Sequence, residues 1–201
     1  MKETVAAIVV TYNRKDLLIE CLKALRNQTH KPNAIFIIDN NSNDGTPELL
    51  LKEGYINKLP DLNSKLDQLI TRQVSSLSIS NKVIEINYIR KRKNEGGAGG
   101  FHDGMSRAYN AGFDWVWLMD DDGYPETNCL KVTREFFKQF HFINALVLLK
   151  SNPKLLASKE TLTDFLSDKS DSVIHNYAVP FNSTFISRHI ISSIGLPKKE
   201  Y

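Results

Sequence analysis

Two continuous apolar runs constrain the fold of this chain most strongly: VAAIVV at 5–10 and AIFIID at 34–39. Runs of this kind, rich in branched residues, are typical of strands buried on both faces of a parallel sheet. Between them, KDLLIECLKALRNQ spaces its leucines as an amphipathic helix does. Strand, helix and strand within about 35 residues form a βαβ unit, whose crossover we expect to be right-handed. The sequence therefore predicts an α/β fold.

The rest of the chain extends this pattern. KVIEINYIR (82–90) alternates like a strand, DWVWLM (114–119) indicates another buried strand, and FINALVLLK (142–150) one more. The spacing of Leu62, Leu66, Leu69 and Ile70 predicts one short helix. There is no internal repeat, low-complexity tail or linker, so we expect residues 1–201 to form a single domain.

Composition excludes several classes of protein. Lys and Arg number 26 against 23 Asp and Glu, and the net charge of +3 is too small to favour nucleic acid or an anionic membrane as a partner. Cys21 and Cys129 fit no metal or redox spacing, which favours a reducing compartment. The apolar run near the N-terminus is too short for a signal peptide or a membrane span. We therefore expect a cytoplasmic protein.

Polar clusters follow three of the predicted strands. TYNRKD comes after the first, DNNSNDGT after the second, and DDDG after DWVWLM. Each has a plain alternative, because Asn13 can cap a helix and NNSNDG can be a turn. Ligands of open α/β sheets bind beyond the carboxyl ends of the strands, however, and three clusters at equivalent ends would meet in one crevice. Their joint position favours a binding site.

The segment RKRKNEGGAGGFHDGM (90–105) has three interpretations. A flexible linker is disfavoured because a strand precedes it and helical spacing follows. A dinucleotide fingerprint fails because its third glycine would fall at His102. The third interpretation is a tight loop that leads into a helix. The N-terminus of that helix would favour anionic groups. The basic run from Arg90 to Lys93 just before it is by itself more typical of a solvated face.

Three consecutive aspartates, Asp120 to Asp122, follow the apolar run DWVWLM. Unit charges about 4 Å apart repel by roughly 1 kcal/mol in water and about 4 kcal/mol at a partly buried site. A strand that ends in Asp-x-Asp projects Asp120 and Asp122 the same way. Carboxylates in that arrangement suit Mg²⁺ or Mn²⁺, which also bind substrate phosphates. We predict that Asp120 and Asp122 are metal ligands and that Asp121 has another role.

Together, VVTYNRKDLLIECLKALRNQT, IFIIDNNSNDGT, NEGGAGGFHDGM and DWVWLMDDDGYPE resemble the family-2 inverting glycosyltransferases of GT-A fold. The likeness is strongest to bacterial galactofuranosyltransferases and rhamnosyltransferase-like enzymes. It implies a mostly parallel central sheet flanked by helices, a UDP-galactofuranose or dTDP-rhamnose-like donor, and a glycan or lipid-linked acceptor. Such an acceptor would bring the chain to the inner face of the cell membrane. A weaker likeness at 179–201 implies that 1–130 is the donor- and metal-binding core and that 131–201 begins the acceptor side.

The resemblance also implies a role for each matching residue. The metal ligands Asp120 and Asp122 would bind the diphosphate of the donor, and Asp121 would face the donor sugar. Thr11, Asn13 and Arg14 would border the nucleotide, and Asp39 would contact the base. The loop that closes over the ribose and phosphates would contain Asn94, Gly97 and Gly99.

Members of this family carry an acidic pair shortly after the GLP turn, and that pair supplies the general base. This sequence reads GLPKKEY at that point, and Glu200 is its one acid there. The resemblance therefore predicts a donor-binding part with the base absent and with slow transfer or none. His175 and His189 are poor substitutes for a missing metal ligand. A nucleotide-sugar-binding protein without turnover stays open as an alternative. A sugar-phosphate nucleotidyltransferase is less favoured, because TYNRKD lacks the glycine that its phosphate loop needs.

Overall fold

The computed structural model describes residues 3–157, Thr163 and 181–199. Its helices and strands, in chain order, are β1 (Val5–Thr11), α1 (Lys15–Arg26), β2 (Ala34–Asp39), α2 (Thr46–Lys52), β3 (Gln68–Ser75), β4 (Val83–Arg90), α3 (Gly96–Asn110), β5 (Trp115–Asp120), α4 (Cys129–Thr133) with a 3-10 turn at Arg134–Phe136, β6 (Phe142–Asn144), β7 (Leu148–Leu149), β8 (Asn152–Leu156), β9 (Thr184–Ser187) and α5 (Arg188–Ile194).

Seven of the strands form one sheet in the order β3-β4-β2-β1-β5-β9-β6. The four central strands, β4, β2, β1 and β5, run parallel to one another. Antiparallel strands extend the sheet on both sides, with β3 pairing with β4, β9 with β5, and β6 with β9. The short strands β7 and β8 form a separate pair. The prediction of an α/β fold with a mostly parallel central sheet is confirmed.

Both faces of the central strands are buried, which explains their continuous apolar sequences. Alternate residues of β1 point to opposite sides of the sheet: Val5, Ala7 and Val9 join the core that contains the leucines of α1, and Ala6, Ile8 and Val10 join the core that contains the apolar side of α3. The crossover helices α1 and α3 thus cover the two faces. No helix within 3–157 or 181–199 is long and apolar enough to cross a membrane.

The glycine-rich segment is helical rather than a loop. Helix α3 begins at Gly96, so the predicted tight loop is confined to the residues just before it. A Cβ added at Gly100 would lie 2.6 Å from Cγ1 of Val10, and one at Gly104 would lie 2.5 Å from Cγ2 of Ile8. Part of the glycine run therefore exists because α3 packs closely on β1.

The predicted helix around Leu62, Leu66, Leu69 and Ile70 is wrong. The first three side chains are exposed, and Ile70 belongs to the edge strand β3, which pairs with β4. Ile70 and Val74 lie on the same face of this strand and are its two buried residues, and the leucine spacing does not reflect a packed face. FINALVLLK forms two short strands, β6 and β7, because its two ends pair with different partners.

Candidate functional site

The order of the strands reverses between β1 and β5. From β1 the chain passes through α1 to β2 on one side, and it later returns through α3 to β5 on the other side of β1. Open α/β sheets bind ligands at such a switch point, beyond the carboxyl ends of the strands. The carboxyl ends here are Thr11 of β1 and Asp120 of β5, and the predicted polar clusters follow both.

Asp121 joins the two sides of the switch point. Its carboxylate accepts a hydrogen bond of 2.7 Å from Oγ1 of Thr11 and one of 3.0 Å from Nη1 of Arg14. The side chain is 3% exposed, and burial raises its pKa, although the bonds from Thr11 and Arg14 oppose that rise. Asp121 thus anchors the loop after β1. Each carboxylate oxygen of Asp121 accepts one of these bonds, so a direct contact with a donor sugar would share an oxygen with Thr11 or Arg14.

Arg14 also holds Asp122. The same Nη1 atom lies 3.1 Å from Oδ2 of Asp122, and both side chains are about half exposed, at 50% and 47%. Strand β5 ends at Asp120, so Asp122 lies in the following turn. The side chains of Asp120 and Asp122 are therefore not paired by strand alternation as predicted, because the alternating backbone stops at Asp120.

Asp120 is the carboxylate that lacks a donor. Among the described residues, none donates a hydrogen bond to its side chain, whereas Asp121 and Asp122 both accept from Arg14. Burial raises the pKa of Asp120, and the charges of Asp122 and Asp121 raise it further. A positive charge placed beside Asp120 would relieve both effects.

The aspartates offer a divalent metal two oxygen ligands rather than a complete cage. In the part of the chain that the structure describes, no group of three or more His, Cys, Asp or Glu side chains is arranged to hold a metal ion. Mg²⁺ is typically bound by one or two carboxylates together with substrate phosphates and water. Asp120 and Asp122 fit that mode. The chemistry of the site is therefore compatible with a metal that binds together with a phosphorylated ligand.

Asp39 is buried beneath the loop that follows β2. Its side chain is fully buried and accepts hydrogen bonds from the hydroxyl of Tyr88 at 2.6 Å, from Nη1 of Arg90 at 3.2 Å, and from the backbone N–H of Ser42 at 2.8 Å. Arg90 also donates to the carbonyl of Ser42. The carboxylate therefore shapes this loop. Oδ2 of Asp39 accepts from Tyr88 and Arg90 and Oδ1 accepts from Ser42, so the predicted contact with a base would share an oxygen with one of these donors.

The basic run before α3 is not a solvated face at its first two positions. Arg90 and Lys91 are both buried. Nζ of Lys91 lies 2.6 Å from Asp67, 3.2 Å from Glu95 and 3.4 Å from Asp103. Burial lowers the pKa of Lys91, but these carboxylates outweigh that effect, and the pKa is raised. Lys91 thereby fixes the segment that leads into α3.

Asn13 connects the loops after β1 and β2. Its backbone has a left-handed conformation with φ 54°. Its backbone N–H donates to Oγ of Ser42, and its side-chain oxygen accepts from the backbone N–H of Asn43 at 2.7 Å. The N-cap position of α1 belongs to Arg14, so Asn13 does not cap that helix. The two polar clusters converge, as the sequence predicted.

Residues at the start of α3 divide into an open and a packed group. Oδ1 of Asn94 accepts from the N–H of Gly96. A Cβ added at Gly97 would meet nothing within 4 Å, whereas one at Gly99 would lie 2.6 Å from Cβ of Glu95. The space beside Gly97 is therefore open, and the missing side chain of Gly99 is explained by its contact with Glu95.

Sequence reasoning missed Asn40. This buried residue donates from Nδ2 to the carbonyl of Gly96 at 3.0 Å, which ties the end of β2 to the start of α3. Its Oδ1 is buried and accepts no hydrogen bond from the residues described. The signal in the sequence was the amide pair directly after AIFIID.

Within the described residues, His189 does not complete the site. His189 lies beside His141, with ring centroids 4.8 Å apart, and the described part of the chain places neither in a metal-binding cluster. His175 and Glu200 lie outside the described residues.

Comparison with known proteins gives a family match and several relatives. The family model "Glycosyl transferase family 2" matches residues 6–56 and 72–187. Galactofuranosyltransferase GlfT1 of Mycolicibacterium smegmatis is 27% identical over 210 residues, which cover 97% of this chain and 60% of that protein. Galactofuranosyltransferase GlfT1 of Mycobacterium tuberculosis is 34% identical over 126 residues, which cover 63% of this chain and 33% of that protein. The chain thus spans about a third to three fifths of these relatives.

Solved structures share the fold at low sequence identity. A mannosyltransferase from Pyrobaculum calidifontis, in complex with GDP-Man and Mn²⁺, matches with a TM-score of 0.59 and 16% identity, over 99% of this chain and 48% of that one. S. aureus TarS in complex with UDP matches with a TM-score of 0.54 and 18% identity, over 94% of this chain and 48% of that one. At this identity the likeness supports the GT-A fold.

Proposed function

The chain belongs to glycosyl transferase family 2, and we propose that it binds a nucleotide-sugar donor together with Mg²⁺ or Mn²⁺ for transfer of the sugar, with inversion, to a glycan or lipid-linked acceptor. The observation that carries the proposal is the arrangement of Asp120, Asp121 and Asp122 at the switch point of the sheet. One of these carboxylates has no hydrogen-bond donor among the described residues, and the other two share a single guanidinium.

In this proposal Asp120 and Asp122 hold the metal. When bound, the metal would neutralise the charge that develops on the departing nucleoside diphosphate. Asp121 keeps Thr11 and Arg14 in place through its two hydrogen bonds. This arrangement gives the aspartates separate roles, with two facing the ligand and the buried one preserving the shape of the crevice.

The nucleotide would lie over the loops that follow β1 and β2, within the donor-binding core at 1–130. Asn13 supports this surface by its bonds to Ser42 and Asn43, and Asp39 supports it from below. The helix α3 would direct its N-terminus at the phosphates, where free backbone N–H groups favour negative charge. Asn94, Gly97 and Gly99 line that end of the helix, with Gly97 as the position open to close approach.

UDP-galactofuranose is the donor that the relatives favour, because two of them are named galactofuranosyltransferases. A dTDP-rhamnose-like sugar is the second choice. Divalent metal use is supported by the structural neighbour that was solved with GDP-Man and Mn²⁺. A lipid-linked acceptor would bring the chain to the inner face of the membrane.

The proposal is tested by measuring donor binding and the release of nucleoside diphosphate. UDP-galactofuranose, dTDP-rhamnose and GDP-mannose are each titrated with Mn²⁺, and release of the nucleoside diphosphate from each donor is followed with and without glycan acceptors. We expect the UDP sugar to bind at least tenfold more tightly than the GDP sugar. Equal binding of all three donors, or no binding of any, would contradict the proposed donor class.

A further inference from the structure

Arg14 occupies an unusual place among the aspartates. A single nitrogen, Nη1, lies 3.0 Å from Asp121 and 3.1 Å from Asp122. Two of the three consecutive carboxylates thus share one guanidinium, so that among the described residues this cluster has three acidic side chains for one cationic partner. A divalent cation would match that deficit.

The two bonds of Arg14 differ in how easily they can break. Asp121 is buried and also accepts from Thr11, so its carboxylate is fixed on two sides. Asp122 is half exposed, and so is Arg14. Exposed ion pairs contribute little to stability, because water screens their charges. The bond to Asp122 is therefore the one that can be exchanged at low cost.

A metal on Asp122 and the guanidinium of Arg14 compete for the same carboxylate. Both are cations, and at hydrogen-bond distance they repel each other strongly in a partly buried cluster. A metal that binds Asp120 and Asp122 would thus drive Arg14 off Asp122. The released guanidinium would lie at the edge of the crevice, where it can form charge-assisted hydrogen bonds to phosphate oxygens.

We propose that Arg14 is an exchangeable counter-ion: it pairs with Asp122 in the ligand-free chain and is transferred from Asp122 to the diphosphate when metal and nucleotide bind. The inference rests on the proposed function, since it assumes that Asp120 and Asp122 receive the metal. It gives Arg14 two effects of opposite sign. Arg14 weakens the binding of metal alone, and it strengthens the binding of metal with nucleoside diphosphate, so that the two ligands bind with positive coupling.

The experiment measures Mn²⁺ binding from the loss of the free-ion signal in electron paramagnetic resonance, with and without UDP. The variant is Arg14→Gln, and the matched control is Lys23→Gln, which removes one positive charge from a side chain of similar exposure on α1. We expect Arg14→Gln to bind Mn²⁺ alone about five- to tenfold more tightly than the parent chain and to bind Mn²⁺ with UDP more weakly. Lys23→Gln should match the parent in both titrations.

Unchanged or weaker binding of Mn²⁺ alone by Arg14→Gln would overturn the inference, and the proposed function would stand if the parent still binds Mn²⁺ with UDP. If neither protein binds Mn²⁺, with or without UDP, both proposals fail. The unmodified chain supplies a second readout that does not depend on folding of the variant. The Nε–H resonance of Arg14, assigned with Arg14→Lys, should shift when Mg²⁺ alone is added, and a resonance that does not move would overturn the exchange.

Discussion

Alanine substitutions at two glycines of α3, Gly97 and Gly104, should separate the ligand-facing part of the helix from the part that packs on the sheet. Both residues lie in the same helix and neither has a positive φ, so alanine is compatible with the backbone at both. The methyl group would meet nothing within 4 Å at Gly97. At Gly104 it would lie 2.5 Å from Cγ2 of Ile8 and 3.2 Å from Cγ1 of Ile38.

The expected free energies of unfolding follow from these distances. Replacing glycine by alanine in a helix stabilises it by about 0.5–1 kcal/mol. Gly97→Ala should gain up to that amount. Gly104→Ala gains the same propensity but overfills a buried site, which typically costs about 1–3 kcal/mol. The gain in helix propensity is similar in the two variants, so it largely cancels when their free energies of unfolding are compared. Gly104→Ala should therefore be less stable than Gly97→Ala by about 1–3 kcal/mol.

Urea unfolding of the two variants and the parent chain measures this difference, and calorimetry with UDP and Mn²⁺ measures binding. Gly97→Ala should be at least as stable as the parent and should bind UDP more weakly, because the methyl group takes the space proposed for the phosphates. Gly104→Ala should lose stability and keep its UDP affinity. A Gly97→Ala protein that is less stable than Gly104→Ala would refute the packing argument, and unchanged UDP binding would refute the role of Gly97.

Two further substitutions test the environments of the carboxylates of Asp39 and Asp120. Tyr88→Phe removes the hydroxyl that donates to buried Asp39. This variant should lower the free energy of unfolding, measured by urea titration, by about 1.5–3 kcal/mol. A loss below about 0.5 kcal/mol would show that this hydrogen bond contributes little. Asp120 has a raised pKa in the folded chain, so the folded state binds more protons than the unfolded state and stability falls as pH rises through that window. Asp120→Asn should therefore raise the melting temperature at pH 7 without metal. This gain in melting temperature should disappear as the pH falls towards about 4. An Asp120→Asn protein that is less stable than the parent chain at pH 7 would contradict this expectation.

The central strands were predictable from the sequence because burial on both faces produces a pattern that few other structures share. VAAIVV, AIFIID and DWVWLM all became parallel strands. The edge strand β3 was not predictable in this way, since only Ile70 and Val74 of its eight residues are buried. The leucines at 62, 66 and 69 have helical spacing but contact no core, so their periodicity was misleading.

The position of the candidate site could be predicted from the order of the strands, and the contacts within it could not. Polar clusters after β1, β2 and β5 had to meet if the strands were parallel neighbours. That Arg14 would bridge Asp121 and Asp122 depends on the turn after Asp120, which strand periodicity does not describe. The burial of Asp39 depends on Tyr88 and Arg90 of β4, about fifty residues later in the chain. The distance between α3 and β1 likewise decides which glycines serve packing.

Calorimetry measures whether a nucleoside diphosphate binds in a metal-dependent way at Asp120 and Asp122. UDP is titrated into the parent chain, into a variant with Asp120→Asn and Asp122→Asn together, and into Asp61→Asn as a control on an exposed loop, each with Mn²⁺ and with chelator. We expect binding with Mn²⁺ in the parent and the control, little binding with chelator, and loss of the metal effect in the double variant. Equal affinity of the parent chain for UDP with Mn²⁺ and with chelator would contradict metal-dependent binding.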